Sequence, residues 1–251
     1  MELIFTYFFL VIFGGCLGSF TSMLIHRLPI DDHLISLSKP RSFCPQCKAT
    51  LDFFQLIPFV SFLISKGKCS KCNVKIRINY LINEIVFAAF ILFIFHTMDF
   101  SSLITWVIVL IFMSLYIQSM MDMETLLLSQ PISIFLIIAG LSLNTFVAFF
   151  TLPIDALLGL IFGYGILFCI NQLHKIIRST DGIGSGDFLL LGGIGSVFGA
   201  SSIGPILLMG SSVTLGLYFL KKKKEKQLPL GFGIGIGAIF YCLMFLFLSN
   251  A

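Results

Sequence analysis

Apolar runs of about the length a bilayer demands recur from one end of this chain to the other. A helix crossing the ~30 Å hydrocarbon core needs ~20 predominantly apolar residues. Runs that approach this length lie near 3–25, 80–98, 103–121, 131–150, 156–173, 187–200, 202–220 and 228–249. Only 11% of the residues are charged, against roughly a quarter in soluble domains. Lipid satisfies no backbone hydrogen bond, so such runs must be helices. The expectation is an all-α integral membrane protein of about eight transmembrane helices.

Two runs carry further information. The first, Leu3 to Ile25, follows Glu2 rather than a basic segment and exceeds a signal-peptide core, which predicts a retained anchor. The run 187–200 is short for a span and is interrupted by Gly192, Gly193, Gly195 and Gly199. Small-residue spacings at Gly14/Gly18, Gly159/Gly163, Gly195/Gly199 and Gly233/Gly237 suit close helix packing, and equally suit chance in a glycine-rich membrane chain.

Basic residues set the orientation. All 16 Lys and Arg fall in 27–77, 175–178 and 221–226. In an eight-helix arrangement these segments share one side, which the positive-inside rule makes cytoplasmic, with both termini outside. The run "KKKKEKQ" at 221–227 directly follows a span. It reads as an anchor on anionic headgroups, so membrane lipid is an expected partner and nucleic acid is not. The chain thus divides into a first helix (1–25), a cytoplasmic loop domain (26–79) and a membrane-embedded domain (80–251).

The loop carries Cys44, Cys47, Cys69 and Cys72 as "CPQC" and "CSKC", two C-x2-C pairs 21 residues apart. That spacing suits a zinc ribbon, in which two knuckles bring four thiolates into a tetrahedron. Two disulfides are the alternative, disfavoured on a reducing cytoplasmic face. Four thiolates leave no open position, so the metal is expected to be structural and to contribute folding free energy to a loop with little core. Cys16, Cys169 and Cys242 lie inside spans and read as small apolar residues.

Among twelve acids, Asp31, Asp32 and Asp52 belong to the loop domain, Asp99 and Asp155 to the outer side, Asp181 and Glu225 to cytoplasmic loops, and Glu2 to the terminus. Glu84, Asp122 and Glu124 remain beside Asp187. Asp122 sits where the span 103–121 reaches the cytoplasmic face, and Asp187 opens its own run at that face in "GSGDFLLL". The two therefore share a depth. A carboxyl pair a few ångströms apart shares a proton and does aspartic-protease chemistry. Separate interfacial caps and a proton or cation relay in a transporter are the other readings of the same two residues. The two similar halves that a transporter often shows are not seen.

Taken together, "GSFTSMLIHRLP" (18–29), "PRSFCPQC" (40–47), "IPFVSFLISKGKCSKC" (57–72), "NYLINE" (79–84), "DMETLLLSQP" (122–131), "GSGDFLLL" (184–191) and "LPLGFGIGIGAIFY" (228–241) resemble the prepilin peptidase family. These are GxGD membrane aspartic proteases of type IV pilus, type II secretion and competence systems. The resemblance implies catalytic roles for Asp122 and Asp187, with Gly184 and Gly186 as the motif's glycines. It implies prepilin or pseudopilin substrates, cleaved at the cytoplasmic face of the inner membrane, and in many members S-adenosylmethionine-dependent methylation of the new amino terminus. The chain departs from the family pattern at Ser22, Asn79, Leu81, Ser129, Gln130 and Leu189. Neither aspartate is touched. Several departures fall in or near the cytoplasmic portion the family associates with methylation, and no glycine-rich Rossmann turn is present to hold that cofactor.

Overall fold

Each predicted span is a helix in the computed structural model, which describes residues 2–30, 41–44, 46–51, 56–220 and 229–249. The basic run 221–227, with Glu225, and the loop acids Asp31, Asp32 and Asp52 lie outside the described residues. The helices are α1 (Glu2–Arg27), α2 (Val60–Ile64), α3 (Asn79–Thr97), α4 (Leu103–Thr125), α5 (Gln130–Val147), α6 (Pro153–Arg178), α7 (Ser185–Phe198), α8 (Ala200–Leu220) and α9 (Leu230–Leu248). Among the described residues there is no strand, only two isolated bridges, Phe43 with Thr50 and Lys68 with Lys75. Among the described residues seven helices are long and apolar enough to cross a membrane. The chain is a multi-pass membrane protein.

The eighth expected span is α7, and it is shorter than a span should be. Its 14 residues rise about 21 Å, less than the ~30 Å of hydrocarbon. It starts inside the protein rather than at the end of α6. The stretch after α6 doubles back to Asn171, whose side chain accepts from the Gly182 and Ile183 amides at 2.8 and 3.0 Å. At its far end, Gly199 lies against Asp155 and Thr151, at the start of α6. Protein rather than lipid surrounds it, for residues 190–198 are all buried. A helix buried in protein need not match the bilayer's thickness.

Glycine makes that burial close enough. An added Cβ at Gly163 would meet the Leu191 backbone, one at Gly140 would fall 2.7 Å from Ser196 backbone, and Gly159 and Gly195 touch backbone to backbone. Gly233 meets Gly210, and Gly237 meets Ile206. The small-residue spacings are therefore packing surfaces, not chance.

The described residues fall into two compact units, Met1–Ser101 and Ser102–Ala251. Pattern alone groups α3 with the later helices; the structure packs it on α1. Gly14 lies against the Ala88 backbone and Gly18 against Asn83 and Glu84, contacts no larger residue would permit. Helices α4 to α9 form the second unit.

Candidate active site

Asp122 lies one turn from the end of α4, in a chain that then stops being helical abruptly. Leu126 takes the left-handed conformation (φ 56°) and its amide closes on the Asp122 carbonyl at 2.9 Å. A branched side chain there is strained. Gln118 holds the turn between α4 and α5: its amide donates to the Ser129 carbonyl at 2.8 Å and to Ser133 Oγ at 2.7 Å, and its carbonyl accepts from the Ser129 amide at 2.8 Å. Leu128, in that turn, is thereby pinned against Gly186 and Gly231.

Asp187 stands in the first turn of α7. Gly184 is the N-cap, and the Asp187 carboxylate reaches back beside it, in the manner of half a capping box. The 179–184 segment before it is tied to α6 through Asn171, which also donates to Asp181 at 3.2 Å. Lys175 pairs with Asp181 at 3.2 Å. The Lys175 hydrogen bond and charge, with the Asn171 amide, hold the Asp181 carboxyl below the usual carboxylate range. Because the segment folds back to Asn171, seven residues before the end of α6, α7 begins about 10 Å short of that end.

A third helix end brings the two acids together. Asp122 Oδ2 accepts from the Phe232 amide at 2.7 Å, in the first turn of α9, with Gly231 close beside it. Asp122 is thus the side-chain cap of a helix that starts more than a hundred residues later, at the positive end of that helix's dipole. A Cβ placed on Gly231 would lie 3.1 Å from Asp122 Oδ2, 3.1 Å from Asp187 Oδ1 and 3.0 Å from Leu128 Cδ1. The two carboxylate oxygens are therefore no more than about twice that distance apart, roughly 6 Å, with one glycine between them. Leu128 closes the other side, since a Cβ on Gly186 would meet its Cβ at 2.9 Å. Asp122 is 5% exposed. Asp187 Oδ1 is buried and has no hydrogen-bond partner. Glu124, by contrast, is exposed.

The four loop cysteines converge separately. Their sulfurs lie within 4.8 Å of one another, with Cys44 to Cys72 at 3.8 Å and Cys47 to Cys69 at 4.0 Å. Four sulfurs each ~2.3 Å from one zinc in a tetrahedron stand ~3.8 Å apart, so the donor set fits. Two matching knuckles build it. Lys48 and Asn73, each following a pair's second cysteine, have φ of 58° and 56°. Their amides return to the Cys44 and Cys69 carbonyls at 2.9 and 3.0 Å. The Cys72 and Lys71 amides draw the Cys69 thiol down to about 6, while desolvation and the neighbouring sulfurs push the Cys72 thiol up to about 12, as thiols crowded into one cluster compete to ionise.

Residues 12–98 match the family described as Bacterial Peptidase A24 N-terminal domain, and residues 108–220 match the Type IV leader peptidase family. Several relatives carry the name Prepilin leader peptidase/N-methyltransferase, three of them as follows. That of Aeromonas salmonicida is 29% identical over 236 residues, covering 82% of this chain and 78% of its own. That of Neisseria gonorrhoeae is 30% identical over 226 residues, covering 80% and 77%. That of Klebsiella pneumoniae is 30% identical over 206 residues, covering 81% and 90%. No solved structure matches the chain. The chain is a membrane peptidase of the Type IV leader peptidase family. The ion-relay alternative has no support among these relatives.

Residue-level reading of the sequence found both acids and all four cysteines but gave no role to Gly231, Leu128, Gln118 or Asn171. Gln118 and Asn171 left a signal, since a lone amide in an apolar span needs a partner. Gly231 sits in a stretch with three more glycines, Gly233, Gly235 and Gly237, and leaves none.

Proposed function

We propose that this chain is an aspartic endopeptidase that removes the leader of type IV prepilins or pseudopilins, with Asp122 and Asp187 as its catalytic pair. The observation that carries the reading is the convergence of both carboxylates on Gly231, with Asp187 Oδ1 buried and unpartnered. Two carboxyls this close share one proton. Asp122, already accepting from a main-chain amide, is the carboxylate that takes a proton from water. Asp187 Oδ1 faces no donor and, carrying the shared proton, donates to the scissile carbonyl. Gly184, Gly186 and Gly231 leave room for an extended substrate backbone to reach both.

Depth supports the substrate class. The acids lie about two turns inside the end of α6, whose last turn carries Lys175 and Arg178. The positive-inside rule makes that end cytoplasmic. A basic leader held at that face, ahead of a hydrophobic helix in the bilayer, brings the scissile bond to this level. The cytoplasmic membrane is the location this implies.

Purified protein in proteoliposomes, given a prepilin, is expected to release the leader, read as its mass loss. An intact prepilin under conditions where the protein is folded would overturn the assignment. The relatives' names extend to N-methylation, read in the same spectrum as the added mass of one methyl group. Among the described residues no sheet with a glycine-rich turn exists to cradle S-adenosylmethionine in the dinucleotide-fold manner.

We assign Cys44, Cys47, Cys69 and Cys72 to one structural zinc, whose role is to fold the 41–75 loop. About one zinc per chain is expected. Cys44→Ser or Cys72→Ser should lose it and make the loop protease-sensitive, while cleavage falls less than in aspartate variants. Metal-free protein with a protected loop would remove the assignment.

A further inference from the structure

The segment 56–65, "LIPFVSFLIS", lies between two membrane helices in sequence and contains no charged residue. It includes α2, and its position relative to α1 and α3 is informative. The Phe59 ring and Pro58 lie against Gly15, where an added Cβ would fall 2.6 Å from Phe59 Cε2 and 2.8 Å from Pro58 Cβ. Gly15 is in the middle of α1, twelve residues before Arg27, which is about 18 Å along the helix. On α3 the same level is bracketed by Glu84, opposite Gly18, and Ala88, opposite Gly14. These are five and nine residues beyond Asn79, about 8 to 13 Å from the start of that span. Phe59 therefore reaches well inside the length over which α1 and α3 are spans.

A segment at such depth must satisfy its own backbone, and most of the amides from Phe59 onward are satisfied within the protein. Phe59 has φ 61°, rare for an aromatic residue, and its amide donates at 2.8 Å to Oε2 of Glu84. Glu84 is a buried carboxylate on a membrane helix that the peptidase chemistry does not use. The Ser61, Leu63, Ser65 and Gly67 amides bond the carbonyls of Ile57, Phe59, Ser61 and Phe62, all within 3.1 Å. Pro58 has no amide to satisfy. Leu63 is 71% and Ile64 79% exposed, and Phe20 on α1 and Ile82 and Ile85 on α3 are exposed as well. Exposed lysines, Lys66 and Lys68, follow at once.

We infer that residues 56–65 form a re-entrant wedge inserted into the bilayer, with Leu63 and Ile64 against lipid acyl chains and Lys66 and Lys68 at anionic headgroups. Glu84 is its internal cap: a carboxylate placed in the membrane to receive a backbone amide that lipid cannot. With the wedge in lipid, only part of 26–79 stands in water.

The chain has one tryptophan, so a Trp106→Phe background carrying Leu63→Trp or Ile64→Trp reports on the wedge alone. In proteoliposomes containing anionic lipid, lipids brominated along the acyl chain are expected to quench either reporter several-fold more than Lys71→Trp on the second knuckle. Aqueous acrylamide should give the reverse order. Reporters as open to acrylamide as Lys71→Trp would overturn the wedge. Reporters shielded from both quenchers would overturn it too, by showing that protein covers this face. The unsubstituted chain gives a second reading: an acyl-chain carbene probe should label peptides spanning 56–64, and their absence from the labelled set would sink the proposal without any variant.

Discussion

Asp122→Asn and Asp187→Asn are each expected to lower prepilin cleavage by at least about a thousandfold, toward the upper end of what general acid–base groups contribute. An asparagine keeps the shape but can neither take a proton from water nor carry the shared one. The two losses should not add, since either substitution destroys the pair. Insertion and zinc content should be unchanged, which separates lost chemistry from lost fold. Glu124→Gln, on the same helix end but exposed, is the control and should stay within a few-fold of the unsubstituted enzyme. The measurement is leader release by mass spectrometry in proteoliposomes. A near-normal rate from either asparagine variant would end the dyad assignment.

Gly231→Val should be nearly as damaging, for a different reason. The new Cβ alone would stand 3.0 to 3.1 Å from Leu128 and both carboxylates, and the branches add bulk to a space already filled. Displacing reacting groups by about 1 Å costs on the order of a hundredfold, and here both move. Overpacking a filled site costs about 1 to 3 kcal/mol, only partly offset by valine's better helix propensity, so the melting temperature should fall by several degrees while the protein still folds. Cleavage lost far beyond what that destabilisation explains is therefore the expected pattern. Gly231→Ala, with a single methyl at the same distances, should fall between. A fully active valine variant would mean that the acids do not converge on this residue in the working enzyme.

The sequence carried the helices because hydrophobic length is a local quantity: a run of apolar residues must be a helix in lipid whatever its neighbours do. It carried the two cysteine knuckles for a similar reason, since each C-x2-C pair builds its own turn. It carried Asp122 and Asp187 through charge in apolar surroundings at a common end of their spans. It marked α7 as short for a span but not the reason, because span length assumes lipid contact and α7 is enclosed by protein.

The features that stayed invisible depend on which helices pack together. Gly231 lies 109 residues beyond Asp122, and no local pattern says that the first turn of α9 will donate its amide to the end of α4. That meeting needs Gly210 against Gly233 and Gly159 against Gly195, approaches that only backbone-to-backbone contact allows. The partner of Glu84 was hidden likewise, because a backbone amide from a loop residue leaves no mark in residue type. Composition, run length and cysteine spacing by themselves determined a multi-pass helical protein with a four-thiolate loop and two acids at one depth. Only the tertiary structure decided that those acids face each other across a glycine, and that a ten-residue stretch of the loop sits at the level of the membrane helices. Periodicity and charge act within a segment, whereas the distance between two side chains on different helices is set by every contact that packs those helices together.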